Sequence, residues 1–271
     1  MKFVIENYSD QYHTQPLYFH KELVDQGHEA TIYETNSSSV FDVLDRTHPD
    51  YYITHARLLK NDHIYYAKNN KIKFLINVQH LTFQDINNLD GILHQNNIDC
   101  PFFFLNLNAV PKVKHRNIIR IMDCADINLL DQKSNIKFQI PKAYMVDSSQ
   151  NVDDKCPHHI ISNNLELRET IDICLPEIQL GLFYSNYDEI IFLHSDNYIT
   201  QSFFDSIMFG AKTYFLSNSA DIKDMFNSVF KDIDLSYDKK FTNFEELREL
   251  VKEKHSPKNR IKTLLSQLPK E

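Results

Sequence analysis

The chain has 271 residues, of which 42% are hydrophobic, and it carries a formal net charge of −8. This length and apolar content can bury a sizeable core, so we expect one large α/β domain or two smaller ones. The acidic balance disfavours a protein that holds nucleic acid mainly by neutralising phosphates. Only four glycines occur in the sequence, which excludes the two common glycine-rich phosphate loops, GxGxxG and GxxxxGK[ST].

No apolar run approaches the roughly 20 residues that a membrane-spanning helix needs, and the first residues lack the pattern of a signal peptide. We therefore expect no membrane span and a cytoplasmic location, or the host cytoplasm if the source is a virus. The cysteines are widely spaced and show no CxxC pattern, so we expect reduced core thiols and predict neither a metal site nor a firm cofactor. They are Cys100, Cys124, Cys156 and Cys174.

Strands and helices alternate through the first half of the sequence. Residues 2–5 predict a strand, and Pro16 opens a helix that Gly27 ends. Further strands are predicted at 28–34, 51–54, 72–78, 101–107 and 117–122, and further helices at 40–46, 60–70 and 83–95. Strands joined by helices at this spacing predict right-handed crossovers and a parallel, doubly wound sheet.

Polar breaks cluster between residues 131 and 154, where Pro141 and the run 147–151 predict a linker. We therefore predict an N-terminal domain over 1–146 and a C-terminal domain over 147–271. In the second domain, strands are predicted at 159–161, 189–193, 213–216 and 232–237. Helices are predicted at 177–184, around 203–208, at 220–226, at 244–254 and from Pro257 onwards.

The most informative stretch runs from residue 188 to residue 216. An apolar strand, a polar turn and a helix that ends at Gly210 are followed at once by another strand. Such a unit places the N-terminus of its helix at the carboxyl edge of a parallel sheet. Free N–H groups and a partial positive charge make that position favourable for anionic ligands.

Several motifs resemble those of the GT-B superfamily of glycosyltransferases. The segment 23–32, LVDQGHEATI, resembles the passage from the first helix into the second strand, and 182–195, LFYSNYDEIIFLHS, resembles the entry to the donor site. An acid followed five positions later by glycine, here Asp205 and Gly210, resembles the donor-site motif that glycosyltransferase group 1 shares. The segment 197–200, NYIT, is similar to a segment of the T-even phage DNA β-glucosyltransferases at the same spacing.

This resemblance implies two Rossmann-like, doubly wound parallel-sheet domains that face a cleft and are closed by a C-terminal helix. It implies transfer of a sugar from a nucleoside diphosphate donor, with a UDP-sugar as the first choice, to an acceptor at the N-terminal domain. The acceptor stays open between a glycan, a protein, a small molecule and modified DNA. Two alternatives are a phage-type enzyme that glycosylates modified DNA bases and a degenerate, non-catalytic GT-B binding module.

The resemblance also implies a donor-binding set in the second half. Asp205 would accept hydrogen bonds from ribose hydroxyls, and the start of its helix would offer N–H and hydroxyl groups to the diphosphate. An ordinary capping role for Thr200 is an equally good interpretation. The predicted donor-binding residues are Ser195, Asn197, Ile199, Thr200, Gln201, Ser202, Asp205 and Gly210.

Sugar transfer often needs a base for the acceptor hydroxyl. His80 follows a predicted strand at the carboxyl edge of the first sheet, and Asp85 lies five residues on. Asp10 and His13, in the first loop, are competing candidates, and His55 is a weaker one. A lone histidine is more often structural, so this assignment rests on location.

Overall fold

The computed structural model describes residues 1–7, 15–34, 39–78, 81–104, 113–121, 124–125, 142–147, 159–162, 170–172, 189–194, 201–216 and 244–268. The chain divides into two compact units. The first joins Met1–Met122 to Ile261–Glu271, and the second is Asp123–Arg260. Among the residues in these ranges, no helix has both the length and the apolar character needed to cross a membrane.

The first unit alternates strands and helices as predicted, with ends that differ by a few residues. Its strands are β1 (Lys2–Asn7), β2 (Glu29–Glu34), β3 (Tyr51–His55), β4 (Lys73–Asn77), β5 (Phe102–Phe104) and β6 (Ile118–Arg120). The helices between them are α1 (Gln15–Asp25), α2 (Val40–Thr47), α3 (Asn61–Asn70) and α4 (Phe83–Gln95). Gly27 has φ +83° just beyond α1, which confirms its expected role at the end of that helix.

The six strands form one parallel sheet in the order β2-β1-β3-β4-β5-β6. The first crossover places β2 on one side of β1. The later crossovers place β3, β4, β5 and β6 in turn on the other side of β1. The predicted doubly wound parallel sheet is thereby confirmed in this unit. The order reverses between β1 and β3, and ligands of open α/β sheets bind at the carboxyl ends of the strands at such a reversal.

Alternating side chains give the sheet two apolar faces. On one face Val4 and Tyr52 join a buried cluster with residues of α2, α3 and α4. On the other face Phe3 stacks on Tyr51 with 5.5 Å between ring centroids. Phe19 of α1 lies 5.9 Å from the ring of Phe103 in β5. Both faces are covered, which is why the strands read as nearly continuous apolar runs.

The second unit contains a mixed sheet. Its strands are β7 (Lys142–Asp147), β8 (His159–Ser162), β9 (Thr170–Asp172), β10 (Glu189–His194) and β11 (Lys212–Leu216), in the order β11-β10-β7-β8-β9. Strands β7, β10 and β11 are parallel, whereas β8 and β9 run antiparallel to their neighbours. Only residues 163–169 separate β8 from β9, which is too short for the crossover of a dozen or more residues that a parallel pair requires.

The helices of the second unit are α5 (Gln201–Met208) and α6 (Phe244–Lys254), and the division between the units falls within α7 (Pro257–Ser266). The first division between the two units falls between residues 122 and 123, and the predicted domain bounds of 1–146 and 147–271 stay a prediction. Strand β7 pairs along its length with β10, so the segment 142–147 is part of the second sheet and not a linker. The predicted elements at 177–184, 220–226 and 232–237 lie outside the described residues.

Candidate functional site

Strand β10, helix α5 and strand β11 form the unit that the sequence predicts between residues 188 and 216. The two strands pair in parallel from Glu189 and Lys212 to Leu193 and Leu216, so α5 is the crossover between them. Gln201 and Ser202 open α5, which starts beyond the carboxyl end of β10. This arrangement presents the N-terminus of α5 at the sheet edge where anions are favoured.

Asp205 lies within α5, and its side chain is only 4% exposed. Residues 203–209 are all buried, so this helix is packed on every side. The neighbouring Ser206 hydroxyl donates to the carbonyl of Phe203 at 2.8 Å and lies 2.9 Å from the hydroxyl of Thr213, which ties α5 to β11. Asp205 also takes part in interactions within the protein. A buried carboxyl group needs such partners.

Gly210 lies beyond the C-terminal end of α5, with φ +92°. A Cβ at this position would lie 2.4 Å from Nη2 of Arg248 on α6. The Nε of Arg248 makes a weak hydrogen bond, at 3.5 Å, to the carbonyl of Ile207 in the last turn of α5. The backbone conformation therefore favours glycine, and a side chain here would also displace the flexible guanidinium end of Arg248. Ser195, Asn197, Ile199 and Thr200 lie outside the described residues.

His255 joins α6 to α7 and packs against α5, a role that the sequence did not predict. Its ring stacks on Phe204 with 4.9 Å between centroids, and its Nδ1 lies 2.6 Å from Nη2 of Arg260. Burial, together with the positive charges of Arg260 and Lys254, lowers the pKa of His255 to about 3. The ring is therefore neutral near pH 7, and Nδ1 accepts a hydrogen bond from the Arg260 guanidinium.

In the first unit, Thr82 caps helix α4, and Asp85 in the first turn is its partner. The hydroxyl of Thr82 accepts from the backbone N–H of Asp85 at 3.2 Å and donates to its carboxylate at 2.7 Å. The Thr-x-x-Asp spacing is a capping signal that can be recognised in the sequence. The pairing of Asp85 with His80 stays a prediction, because His80 lies outside the described residues. The other candidates, Asp10 and His13, also lie outside them.

Glu6 forms a buried polar cluster at the point where the strand order reverses. It is 2% exposed, accepts a hydrogen bond from the Tyr52 hydroxyl at 2.7 Å, and accepts another from the Thr54 hydroxyl. Burial raises the pKa of Tyr52, and the charge of Glu6 raises it further. Burial also lowers the pKa of nearby His63. The apolar pattern predicts that β1 ends at Ile5, because a charged residue is usually read as the start of a loop.

Among all the described residues, no group of three or more His, Cys, Asp or Glu side chains could hold a metal ion.

No protein-family model matches the sequence, and no curated protein is significantly similar to it. Solved structures similar to the chain include the spinosyn forosaminyltransferase SpnP, with 9% identity, coverage of 98% of both chains and a TM-score of 0.47. The glycosyltransferase SsfS6 of Streptomyces sp. SF2575 has 11% identity, coverage of 98% of this chain and 100% of its own, and a TM-score of 0.44. SnogD from Streptomyces nogalater has 9% identity, coverage of 98% and 99%, and a TM-score of 0.40. At these identities and TM-scores the likenesses assign neither a family nor an activity to the chain.

Proposed function

We propose that the chain is a glycosyltransferase that moves a sugar from a nucleoside diphosphate donor, held by the second unit, to an acceptor at the first unit. The observation that carries this proposal is the β10–α5–β11 unit, in which Asp205 lies in the crossover helix and Gly210 follows it at positive φ. The GT-B resemblance uses the same acid and glycine at the same spacing.

In this proposal the N-terminus of α5 compensates the charge of the diphosphate, and Asp205 accepts hydrogen bonds from the ribose. Because Asp205 is already engaged within the protein, the ribose hydroxyls would exchange with or add to its present partners. The bond from the sugar to the diphosphate breaks as the acceptor oxygen attacks. The acceptor proton goes to a base, for which His80 assisted by Asp85 is the first candidate and Asp10 or His13 the alternatives.

Isothermal titration with UDP, TDP, GDP and ADP tests the donor site. We expect one of them to bind, and Asp205→Asn to weaken its binding about tenfold or more, since a hydrogen bond to a charged group contributes about 1.5–3 kcal/mol. Glu249→Gln, on the exposed face of α6, is the matched control and should leave binding unchanged. The thermal unfolding temperature of each variant shows whether the fold is retained.

The proposal fails if the wild-type protein binds none of these nucleotides, or if Asp205→Asn binds as tightly as wild type. Nucleotide binding without hydrolysis or transfer of any matching sugar nucleotide would favour the non-catalytic module. A salt-dependent shift of duplex DNA would favour the phage-type enzyme. The resemblance to that enzyme rests on residues 197–200, which lie outside the described residues.

A further inference from the structure

The segment that joins strand β3 to helix α3 is held at both ends by histidine rings. We call this segment, residues 56–60, the β3–α3 connection. At its far end the backbone N–H of Lys60 donates to Nδ1 of His63 across 3.3 Å. At its near end the backbone N–H of Arg57 donates to Nδ1 of His55 across 3.2 Å. Each ring thus holds the connection by accepting a hydrogen bond at a nitrogen that can also bind a proton.

The bond from Lys60 to His63 closes the N-terminus of helix α3. Lys60 is the N-cap residue, and His63 is the third residue of the helix, a position where a capping box ordinarily has Glu or Gln. The side chains of Glu and Gln accept the N–H of the N-cap residue throughout the range around pH 7. An imidazole accepts it at Nδ1 only while that nitrogen carries no proton. Protonation of His63 therefore removes the acceptor and weakens the cap of α3.

The His63 ring is buried, with 9% exposure, and it packs against two other rings. Phe41 of α2 and Tyr52 of β3 contact it edge to face, with 5.6 and 6.2 Å between ring centroids. Phe41 cannot ionise, and Tyr52 stays neutral near pH 7 because burial raises its pKa. A proton on His63 would place a positive charge where little water can solvate it. Moving the ring into water removes that cost.

Among the described residues, the charges that act on His63 are those of Glu6 in β1, Lys60 at the N-cap and Asp62 in the first turn of α3. Burial lowers the pKa of His63, the charge of Glu6 acts to raise it, and Lys60 and Asp62 act in opposite directions. Burial prevails, and the pKa lies below its usual value. The closed connection therefore binds a proton less tightly than an open one, in which the ring is in water. Falling pH accordingly favours the open connection.

His55 lies at the end of β3, where the side chains beside it are polar. Asn77 of β4 is in register with His55, and the ladder between β1 and β3, continued by two residues, brings Asn7 to its other side. Beyond Asn7 follows the exposed carboxylate of Glu34, which accepts from the Asn7 amide. The charged residue in the connection itself is Arg57. Protonation of His55 at Nδ1 removes the acceptor for the backbone N–H of Arg57, as it does for Lys60 at His63.

We propose that the β3–α3 connection is an acid-released latch, which neutral His63 and His55 hold closed near pH 7 and which opens when they are protonated. Opening frees residues 56–60 and the first turn of α3. The middle of β3 stays in place, because the strand is paired on both sides, with β1 and with β4. The inference goes beyond the proposed function and does not depend on it.

Amide hydrogen exchange, followed by NMR between pH 7 and pH 5, tests the latch. The reporters are the amide of Lys60 and those of His63 and Ile64, which donate to the Lys60 carbonyl at 3.0 and 3.3 Å. We expect their protection factors, which correct for the intrinsic effect of pH on exchange, to fall by up to about tenfold per pH unit below pH 6.5. The protection of the Ile53 amide, in the middle of β3, should stay constant. The Arg57 amide should lose protection as well.

Three variants separate the contributions. His63→Gln retains an acceptor that does not titrate, so it should keep the protection of Lys60 at pH 7 and abolish its fall. His55→Gln should abolish the fall at Arg57 alone. His20→Gln is the matched control, because Nε2 of His20 donates to the carbonyl of Ala30 at 3.2 Å and protonation preserves that bond. The fall at Lys60 should therefore remain in His20→Gln.

Three results would overturn the inference: constant protection of the Lys60 amide down to pH 5, an unchanged fall in His63→Gln, or a parallel fall at Ile53. The last result would show that the whole unit unfolds and that no local latch exists. If His63→Gln does not fold, the ring signals of the wild-type protein decide the outcome. His63 must then titrate over the pH range in which the Lys60 amide loses protection, and titration outside that range would reject the latch.

Discussion

Arg116 donates through its Nε to the carboxylate of Asp90 across 2.6 Å, and both side chains are almost completely buried. The other Asp90 oxygen accepts from the backbone N–H groups of Lys114 and His115, at 3.1 Å each. The guanidinium also donates to the carbonyl of Cys100 at 3.2 Å. This network fixes the segment before β6 to helix α4. Burial acts to raise the pKa of Asp90, but the hydrogen bonds and charge of Arg116 outweigh burial and lower it.

Replacing Arg116 by alanine leaves a buried carboxylate without its cation. We expect a loss of about 3–5 kcal/mol in the free energy of unfolding, measured by urea denaturation. Lys114→Ala is the control, because it retains the backbone N–H that donates to Asp90 and should cost less than about 0.5 kcal/mol. A loss below about 1 kcal/mol for Arg116→Ala would contradict the importance of the ion pair.

The double variant Asp90→Leu with Arg116→Met removes both charges and tests what else Asp90 does. Swapping a buried ion pair for apolar residues is often neutral. Here two backbone N–H groups lose their acceptor, so we expect a residual loss of about 1–3 kcal/mol in the same denaturation experiment. Full recovery of wild-type stability would show that these N–H groups find other partners.

His255 should make the stability of the protein depend on pH. Its pKa is about 3 in the folded protein and 6.5 ordinarily, so between these values the unfolded chain binds a proton that the folded protein does not. The contribution of the neutral His255 ring to the unfolding free energy is therefore fully present above pH 6.5, and it is lost as the pH is lowered towards 3. His255→Phe should flatten the slope of unfolding free energy against pH by up to about 1.4 kcal/mol per pH unit.

Urea denaturation at several values between pH 4 and pH 7 measures that slope. His48→Asn is the control, since His48 is exposed and asparagine tolerates its left-handed backbone, φ 45°. If both variants flatten the slope equally, the dependence does not come from the buried ring of His255.

Gly210→Ala should destabilise the second unit for two separable reasons. A side chain at φ +92° is strained by about 1–3 kcal/mol, and the new methyl group would displace Arg248. Adding Arg248→Ala removes the second cost and leaves the first. Thermal unfolding of both single variants and the double variant measures this coupling. We expect Arg248→Ala to reduce stability less in the Gly210→Ala protein than in the wild type. Strict additivity would show that Arg248 does not confine this position.

Thr54→Val and Tyr52→Phe each remove one hydroxyl that donates to Glu6 while retaining nearly the same shape. We expect each to reduce the unfolding free energy by about 1–3 kcal/mol, because the buried carboxyl group loses a partner. Thr47→Val offers a comparison in the same unit, since its hydroxyl donates only to the carbonyl of Val43 within helix α2. Equal effects at all three positions would contradict a special role for Glu6.

Elements with a clear apolar period could be predicted from the sequence almost to the residue. Helices α4 and α6 have the predicted bounds, and every strand of the first sheet was located. The β10–α5–β11 unit was also predicted, because a short apolar strand, a polar turn and a glycine-terminated helix follow one another within residues 188–216. In these cases the local pattern and the tertiary structure agree.

What the sequence could not supply are the contacts between distant residues. The partners of Glu6 are 46 and 48 residues away, and Arg116 lies 26 residues from Asp90. A glutamate at the end of an apolar run is read as a loop until a strand that supplies two hydroxyl donors is known to lie beside it. Strand β7 was hidden for a related reason, since the polar residues around it suggested a linker.

Strand β1 ends in two polar residues that face opposite ways. Glu6 turns towards the cluster with Tyr52 and Thr54, and Asn7 turns towards Glu34 on the other face. Inserting or deleting one residue earlier in β1 would exchange the two side chains. The hydrogen bonds that Glu6 accepts and those that Asn7 donates to Glu34 would then be lost together. We therefore expect that related sequences do not vary in length within this strand. Length changes beyond Asn7 would leave Glu6 and Asn7 on their present faces of the sheet.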